Sequence, residues 1–128
     1  MLIAQITDTH IKLPGKLAYK KVDTAAMLGR CVQELLALSP QPDIVLLTGD
    51  LVDLGRPEEY DHLKSILAPI KQRIIAIPGN HDEPDAMREA FRDGGYLPAV
   101  GKFLQFAIDD YPLRLVGLDT LIPGQGGG

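Results

Sequence analysis

Asp43-Ile44-Val45-Leu46-Leu47-Thr48-Gly49-Asp50 is the stretch that decides the fold. Its four consecutive aliphatic residues leave no polar side, so it reads as a strand buried on both faces, the habit of parallel sheets. Gly49-Asp50 ends it in a turn. Two other short apolar runs have the same form. Leu2 to Thr7 leads into Asp8-Thr9-His10, and Arg73 to Ile77 leads into Pro78-Gly79-Asn80-His81-Asp82.

Helical patterns fill the spaces between these runs. Val22 to Leu38 carries Ala26, Leu28, Val32, Leu35 and Leu36 in helical rhythm, with Asp23 and Thr24 suited to its start. Ser39-Pro40-Gln41-Pro42 stops it. Pro57 opens a second helix that runs to Leu67, with Glu58 and Glu59 complementing the helix dipole. A third is predicted over Pro84 to Arg92, broken by Gly94-Gly95. Phe103 to Ile108 and Leu113 to Leu118 form a predicted hairpin around Asp109-Asp110-Tyr111-Pro112. The order β-α-β-α-β-α-β-β implies an α/β fold with a mostly parallel sheet.

The chain has 128 residues, enough for one domain. With 45% hydrophobic and 23% charged residues it has the makeup of a globular protein and not of a disordered one. No apolar run approaches the roughly 18 residues of a membrane helix. The net charge is −4, and no lysine and arginine cluster marks a nucleic-acid footprint. Neither a membrane nor a specific nucleic acid is therefore expected as a partner. Cys31 is the only cysteine, so no internal disulfide can form, and a reducing compartment is expected. The N-terminus lacks a basic leader and meets Asp8 early, so the expected location is cytoplasmic. Cys31 is expected on the apolar side of the first helix. Residues 1–122 are expected to form the domain portion and 123–128 a Gly-rich flexible tail.

The reactive residue types gather where the three strands end. Ligands of open α/β sheets bind beyond the carboxyl ends of the strands. Asp8 and His10 are two apart in an extended segment, which can aim both side chains one way. Asp50 has two carboxylate oxygens and can bridge two ions. Asn80 adds a neutral carbonyl oxygen. Nitrogen and oxygen donors without thiolate suit Mn, Fe, Co, Zn or Ni. Each block alone also has a plain structural reading. Asp-x-His is common, Gly-Asp is ordinary turn chemistry, and Asp82 can simply cap the third helix. Their joint placement at the ends of the three best strands is what favours a metal site.

Asp8-x-His10, Gly49-Asp50 and Gly79-Asn80-His81-Asp82, in this order and spacing, resemble the calcineurin-like metallophosphoesterase superfamily. Ile6-Thr7-Asp8-Thr9-His10 and the stretch from Gly49 to Tyr60 resemble most its class III cyclic-nucleotide phosphodiesterases and glycerophosphodiesterases. The protein phosphatases of the superfamily have Asp-Arg-Gly where this chain has Asp53-Leu54-Gly55. The resemblance implies an αββα sandwich of which this chain supplies about the first half. It implies that Asp8 and His10 bind a first divalent transition metal ion, that Asp50 bridges both ions, and that Asn80 binds the second. His81 is then the catalytic residue facing the phosphoryl group or the leaving oxygen, with Asp82 placed to orient it. The implied reaction is hydrolysis of a small phosphodiester by a hydroxide that two metal ions activate, with no phosphoenzyme.

The superfamily's later histidine and its Gly-His-x-His block have no counterpart among His10, His62 and His81. His62 reads as a surface residue of the second helix. The expectation is therefore a part of a longer enzyme, or a chain that another chain or copy completes, with the uncovered sheet face prone to association. The competing reading is a non-catalytic remnant serving as an interaction module. It is disfavoured because Asp8, His10, Asp50, Asn80 and His81 are all present. A nucleotide-binding Rossmann domain is disfavoured because no Gly-x-Gly-x-x-Gly follows the first strand. Smaller expectations concern single residues. Lys12, Lys16, Lys20 and Lys21 read as a solvated loop able to steer an anion, Arg56 as a loop residue without catalytic role, and Asp119 as a partner of local backbone.

Overall fold

A computed structural model describes residues 1–122, 124 and 125. The tail expected over 123–128 lies for the most part outside the described residues.

Three parallel strands, β1 (Ile3–Ile6), β2 (Ile44–Thr48) and β3 (Arg73–Ile77), form a sheet in the order β1-β2-β3. Between them run α1 (Thr24–Ala37) and α2 (Pro57–Leu67), and α3 (Pro84–Ala90) follows. A short 3-10 turn over Arg92–Gly94 replaces the expected end of the third helix. An antiparallel hairpin, β4 (Phe106–Ile108) and β5 (Leu115–Gly117), completes the α/β order as a separate two-stranded sheet. Ile6 pairs with Leu47, and Thr48 with Ile77. The three strands thus end almost level, which brings the loops after them to one edge.

The helices start where short-range chemistry allows. The Asp23 carboxylate accepts the Ala26 N–H at 2.9 Å, satisfying one of the free donors of α1 and contributing about 1 kcal/mol. Pro57 opens α2. Glu59 does more than complement the dipole. It is buried, and its carboxylate reaches back to the N–H groups of Leu54 (2.9 Å) and Arg56 (3.3 Å), tying the β2–α2 loop to the helix. Glu83, not Asp82, caps α3, accepting from Asp85 and Ala86.

All three helices share a core with one face of the sheet. Ile6, Val45, Leu47 and Ala76 pack with Leu28, Val32 and Leu35 of α1, Leu63 and Leu67 of α2 and Met87 of α3. On the opposite face Ile44 and Ile75 pack with Ile108, Phe106 and Leu115 of the hairpin. The face expected to lie open is thus partly covered. The hairpin reaches β2 and β3, which explains why β2 is buried on both sides. Leu118 and Val116 of the hairpin remain exposed.

Two expectations need correction. β1 was expected to be buried like β2, but it is an edge strand with Ile3 and Gln5 exposed. Cys31, expected in the core, is exposed. The buried stripe of α1 is Leu28, Val32 and Leu35, and Cys31 lies on its flank. The outer edge of β3 is protected: the Ala76 N–H donates to the Tyr96 hydroxyl at 2.8 Å, and burial pushes the Tyr96 pKa up to about 12. Among the described residues no helix is long and apolar enough to cross a membrane.

Candidate metal centre

The β1 and β2 loops stay paired after their strands end. Asp8 N–H donates to the Gly49 carbonyl (3.1 Å), His10 N–H to that of Asp50 (2.9 Å) and Ile11 N–H to that of Leu51 (3.0 Å). The buried Thr9 hydroxyl donates to the Leu51 carbonyl at 2.7 Å. The Thr7 hydroxyl lies between the Asp8 carboxylate (2.5 Å) and the Thr48 carbonyl (3.0 Å), so it holds the Asp8 side chain against the end of β2.

Asp8, His10 and Asp50 all have positive φ, at 54°, 41° and 49°. Each costs on the order of 1–2 kcal/mol for a residue with a Cβ, and the loop pairing offsets this cost. The backbone is therefore not extended at Asp8 and His10, contrary to the alternation argument made from spacing. Left-handed conformation at both positions is what directs their side chains together. Ligand atoms of Asp8, His10 and Asp50 lie within 4.8 Å of one another, with His10 Nε2 3.8 Å from an Asp50 oxygen. One imidazole nitrogen and two carboxylates fit a divalent ion.

The β3 loop closes on the same point. Gly79 touches Asp50 so closely that a Cβ there would lie 2.2 Å from Asp50 Oδ1 and 2.3 Å from its backbone nitrogen. The Asp50 carboxylate accepts the His81 N–H through Oδ1 at 3.0 Å. The His81 ring meets the His10 ring edge-on, with centroids 4.7 Å apart. His81 Nδ1 lies 2.8 Å from the Asp53 carbonyl oxygen. A carbonyl only accepts, so Nδ1 carries the proton and Nε2 is left free. Asn80 is exposed in this turn, between Gly79 and His81.

Asp82 does not orient His81 and does not cap α3. It is buried, and its carboxylate accepts from Leu51 N–H (3.2 Å), Gly79 N–H (2.9 Å) and the Tyr60 hydroxyl (2.8 Å). Burial raises its pKa, against the pull of these donors. The fully buried Tyr60 is driven far above its ordinary value, first by desolvation and then by the Asp82 charge. Asp82 thus joins the β2 and β3 loops beneath the candidate ligands. The sequence offered no sign of this, because two of its three partners, Tyr60 and Leu51, are 22 and 31 residues away.

Other residues fall as follows. His62 is half-buried rather than a free surface residue, with Nδ1 2.7 Å from the Lys12 carbonyl oxygen. Lys12 pairs with Asp53, while Lys16, Lys20 and Lys21 are exposed. Arg56 takes the N-cap position of α2. Asp119 accepts from Leu121 N–H (3.0 Å) and also, beyond the expected local contact, from Leu104 N–H (2.7 Å). Asp53 and Tyr60 are the two site-bearing residues given no role from sequence.

The chain matches the family model described as calcineurin-like phosphoesterase over residues 1–127. It is 38% identical over 125 residues to a probable glycerophosphodiester phosphodiesterase of Arcobacter nitrofigilis, covering 98% of this chain and 45% of that protein. It is 34% identical over 131 residues to a glycerophosphodiester phosphodiesterase of Enterobacter lignolyticus, covering 100% and 46%. To a 3′,5′-cyclic adenosine monophosphate phosphodiesterase of Pseudomonas aeruginosa it is 28% identical over 124 residues, covering 97% and 43%. The chain spans about half the length of the curated relatives it matches.

Proposed function

The chain belongs to the calcineurin-like phosphoesterase family, and on that footing we propose that it serves the metal-dependent hydrolysis of small phosphodiesters, supplying part of a two-metal site. One observation carries this reading: ligand atoms of Asp8, His10 and Asp50 converge within 4.8 Å, with the His81 ring against that of His10. In this reading Asp8, His10 and Asp50 would hold one ion, and Asp50 and Asn80 would hold a second, Asn80 through its carbonyl oxygen. The ions are divalent transition metals such as Mn, Fe, Zn or Co, suited to mixed nitrogen and oxygen donors. When bound, they supply Lewis acidity to the phosphoryl oxygens and make water acidic enough to serve as nucleophile.

The chain's own residues set the geometry and move the proton. His81 keeps its Nδ1 proton on the Asp53 carbonyl, which fixes the ring. A proton that Nε2 takes from solvent would pass to the leaving oxygen as charge develops there, returning His81 to its Nδ1–H form. The Asp82 network keeps the β2 and β3 loops in register. The remaining ligands come from residues outside this chain or from another copy. The lone cysteine fits a reducing, cytoplasmic setting.

The test is Mn²⁺-dependent hydrolysis of bis-p-nitrophenyl phosphate by the chain and by an Asn80→Ala variant. The expected result is slow turnover that falls by about tenfold or more in the variant. Turnover equal in both would remove Asn80 from the site. Absence of turnover in both folded proteins would overturn hydrolysis by this chain alone and leave it as one half of a catalytic site.

A further inference from the structure

The geometry points to a second metal site, built from His10, Asp53 and His81, that excludes the first because both use His10. One ligand atom from each of these three residues lies within 4.8 Å of the other two. The donor set is two imidazoles and one carboxylate, whereas Asp8, His10 and Asp50 offer one imidazole and two carboxylates. Imidazole-rich sets favour Zn²⁺, Ni²⁺, Cu²⁺ or Co²⁺, while carboxylate-rich sets also suit Mn²⁺ and Mg²⁺. The second site therefore takes a nitrogen-preferring ion.

Two further contacts fit this role. Histidine ligands commonly donate their other ring N–H to a carbonyl or carboxylate, which aims the free nitrogen at the metal. His81 does so with Nδ1 on the Asp53 carbonyl, so Asp53 supplies both a carboxylate and the contact that orients the partner imidazole. The Asp53 carboxylate is in turn covered by the Lys12 ammonium, and the Lys12 carbonyl is held by His62. An arriving ion must displace the Lys12 charge from Asp53. Because both sites need His10, which of them a given ion occupies is set by their relative affinities for that ion and not by its concentration. Its occupancy withdraws His10 and His81 from phosphoryl chemistry, so zinc in excess over a carboxylate-preferring ion such as Mn²⁺ inhibits. This last consequence rests on the proposed function; the site itself rests on its geometry alone.

The test follows ring-nitrogen resonances of the three histidines in the ¹⁵N-labelled 128-residue chain during titration with Zn²⁺. His62 serves as the internal control. The expected result is that His10 and His81 Nε2 move together while His62 stays. Calorimetry with Zn²⁺ should show binding weakened by about tenfold or more in Asp53→Asn and tightened in Lys12→Met. If His10 moves and His81 does not, the second site is overturned and the proposed function stands. If neither moves, both fail. Asp53→Asn binding Zn²⁺ as tightly as the parent would likewise overturn the proposal.

Discussion

Replacing Asp82 with alanine should destabilise the chain by at least about 3 kcal/mol, because three donors lose one shared acceptor. The Tyr60 hydroxyl is fully buried, and the Leu51 and Gly79 N–H groups lie between the β2 and β3 loops. A buried donor left without a partner costs about 1–3 kcal/mol, and whole domains have only about 5–15 kcal/mol in hand. Water cannot fully replace the carboxylate, since the site is packed against the helical core. The measurement is urea unfolding followed by circular dichroism. Tyr60→Phe gives the internal comparison: it takes one donor from Asp82 and leaves a single N–H, that of Glu83, without its acceptor, so it should cost clearly less than Asp82→Ala. Equal stability of Asp82→Ala and the parent would show that the carboxylate does not join the loops.

Gly79→Ala should separate the β2 and β3 loops and weaken divalent-metal binding. The added methyl would fall 2.2 Å from Asp50 Oδ1 and 2.3 Å from Asp50 N, and only one of these is a side-chain atom able to turn away. Overpacking in tight sites costs about 1–3 kcal/mol. Here the clash with backbone nitrogen puts the cost at the upper end. Gly49 packs against the same point, its own Cβ position lying 3.0 Å from Gly79 Cα, so neither loop has room to yield. Gly29→Ala is the control. It sits within α1 with nothing within 4 Å of a new Cβ, so alanine should stabilise by about 0.5–1 kcal/mol. Thermal melts of both variants, with calorimetry for Mn²⁺, would read opposite signs of stability and loss of metal only in Gly79→Ala.

The elements were legible where local pattern and tertiary packing agree. Pro57 to Leu67 and Arg73 to Ile77 match α2 and β3 in both bounds. β2 read as buried on both faces because Ile44 to Leu47 are all aliphatic, and the helices and hairpin do cover both sides. β1 carries much the same composition, yet among the described residues it lies at the sheet edge, a position that composition does not reveal. Cys31 misled because helical spacing alone placed it beside Leu28, and a flanking position differs from a buried one by a small rotation. The candidate ligands were legible as residue types at strand ends. Their geometry was not, since Asp8, His10 and Asp50 adopt left-handed conformations that Asp and His visit more often than most residues but that residue type alone does not fix. Asp53 and Tyr60 escaped, and Lys12 was read only as a solvated loop residue, because their roles depend on contacts across 22 to 41 residues.

Three strand-end loops form a divalent-metal site focused on Asp50 in this reading. Titration of Mn²⁺ by electron paramagnetic resonance, comparing the chain with Asp50→Asn, tests it most directly. The free-ion signal should be quenched by the parent and should persist in the variant, with both proteins folded by circular dichroism. Equal quenching by both, or none by either, would contradict the account.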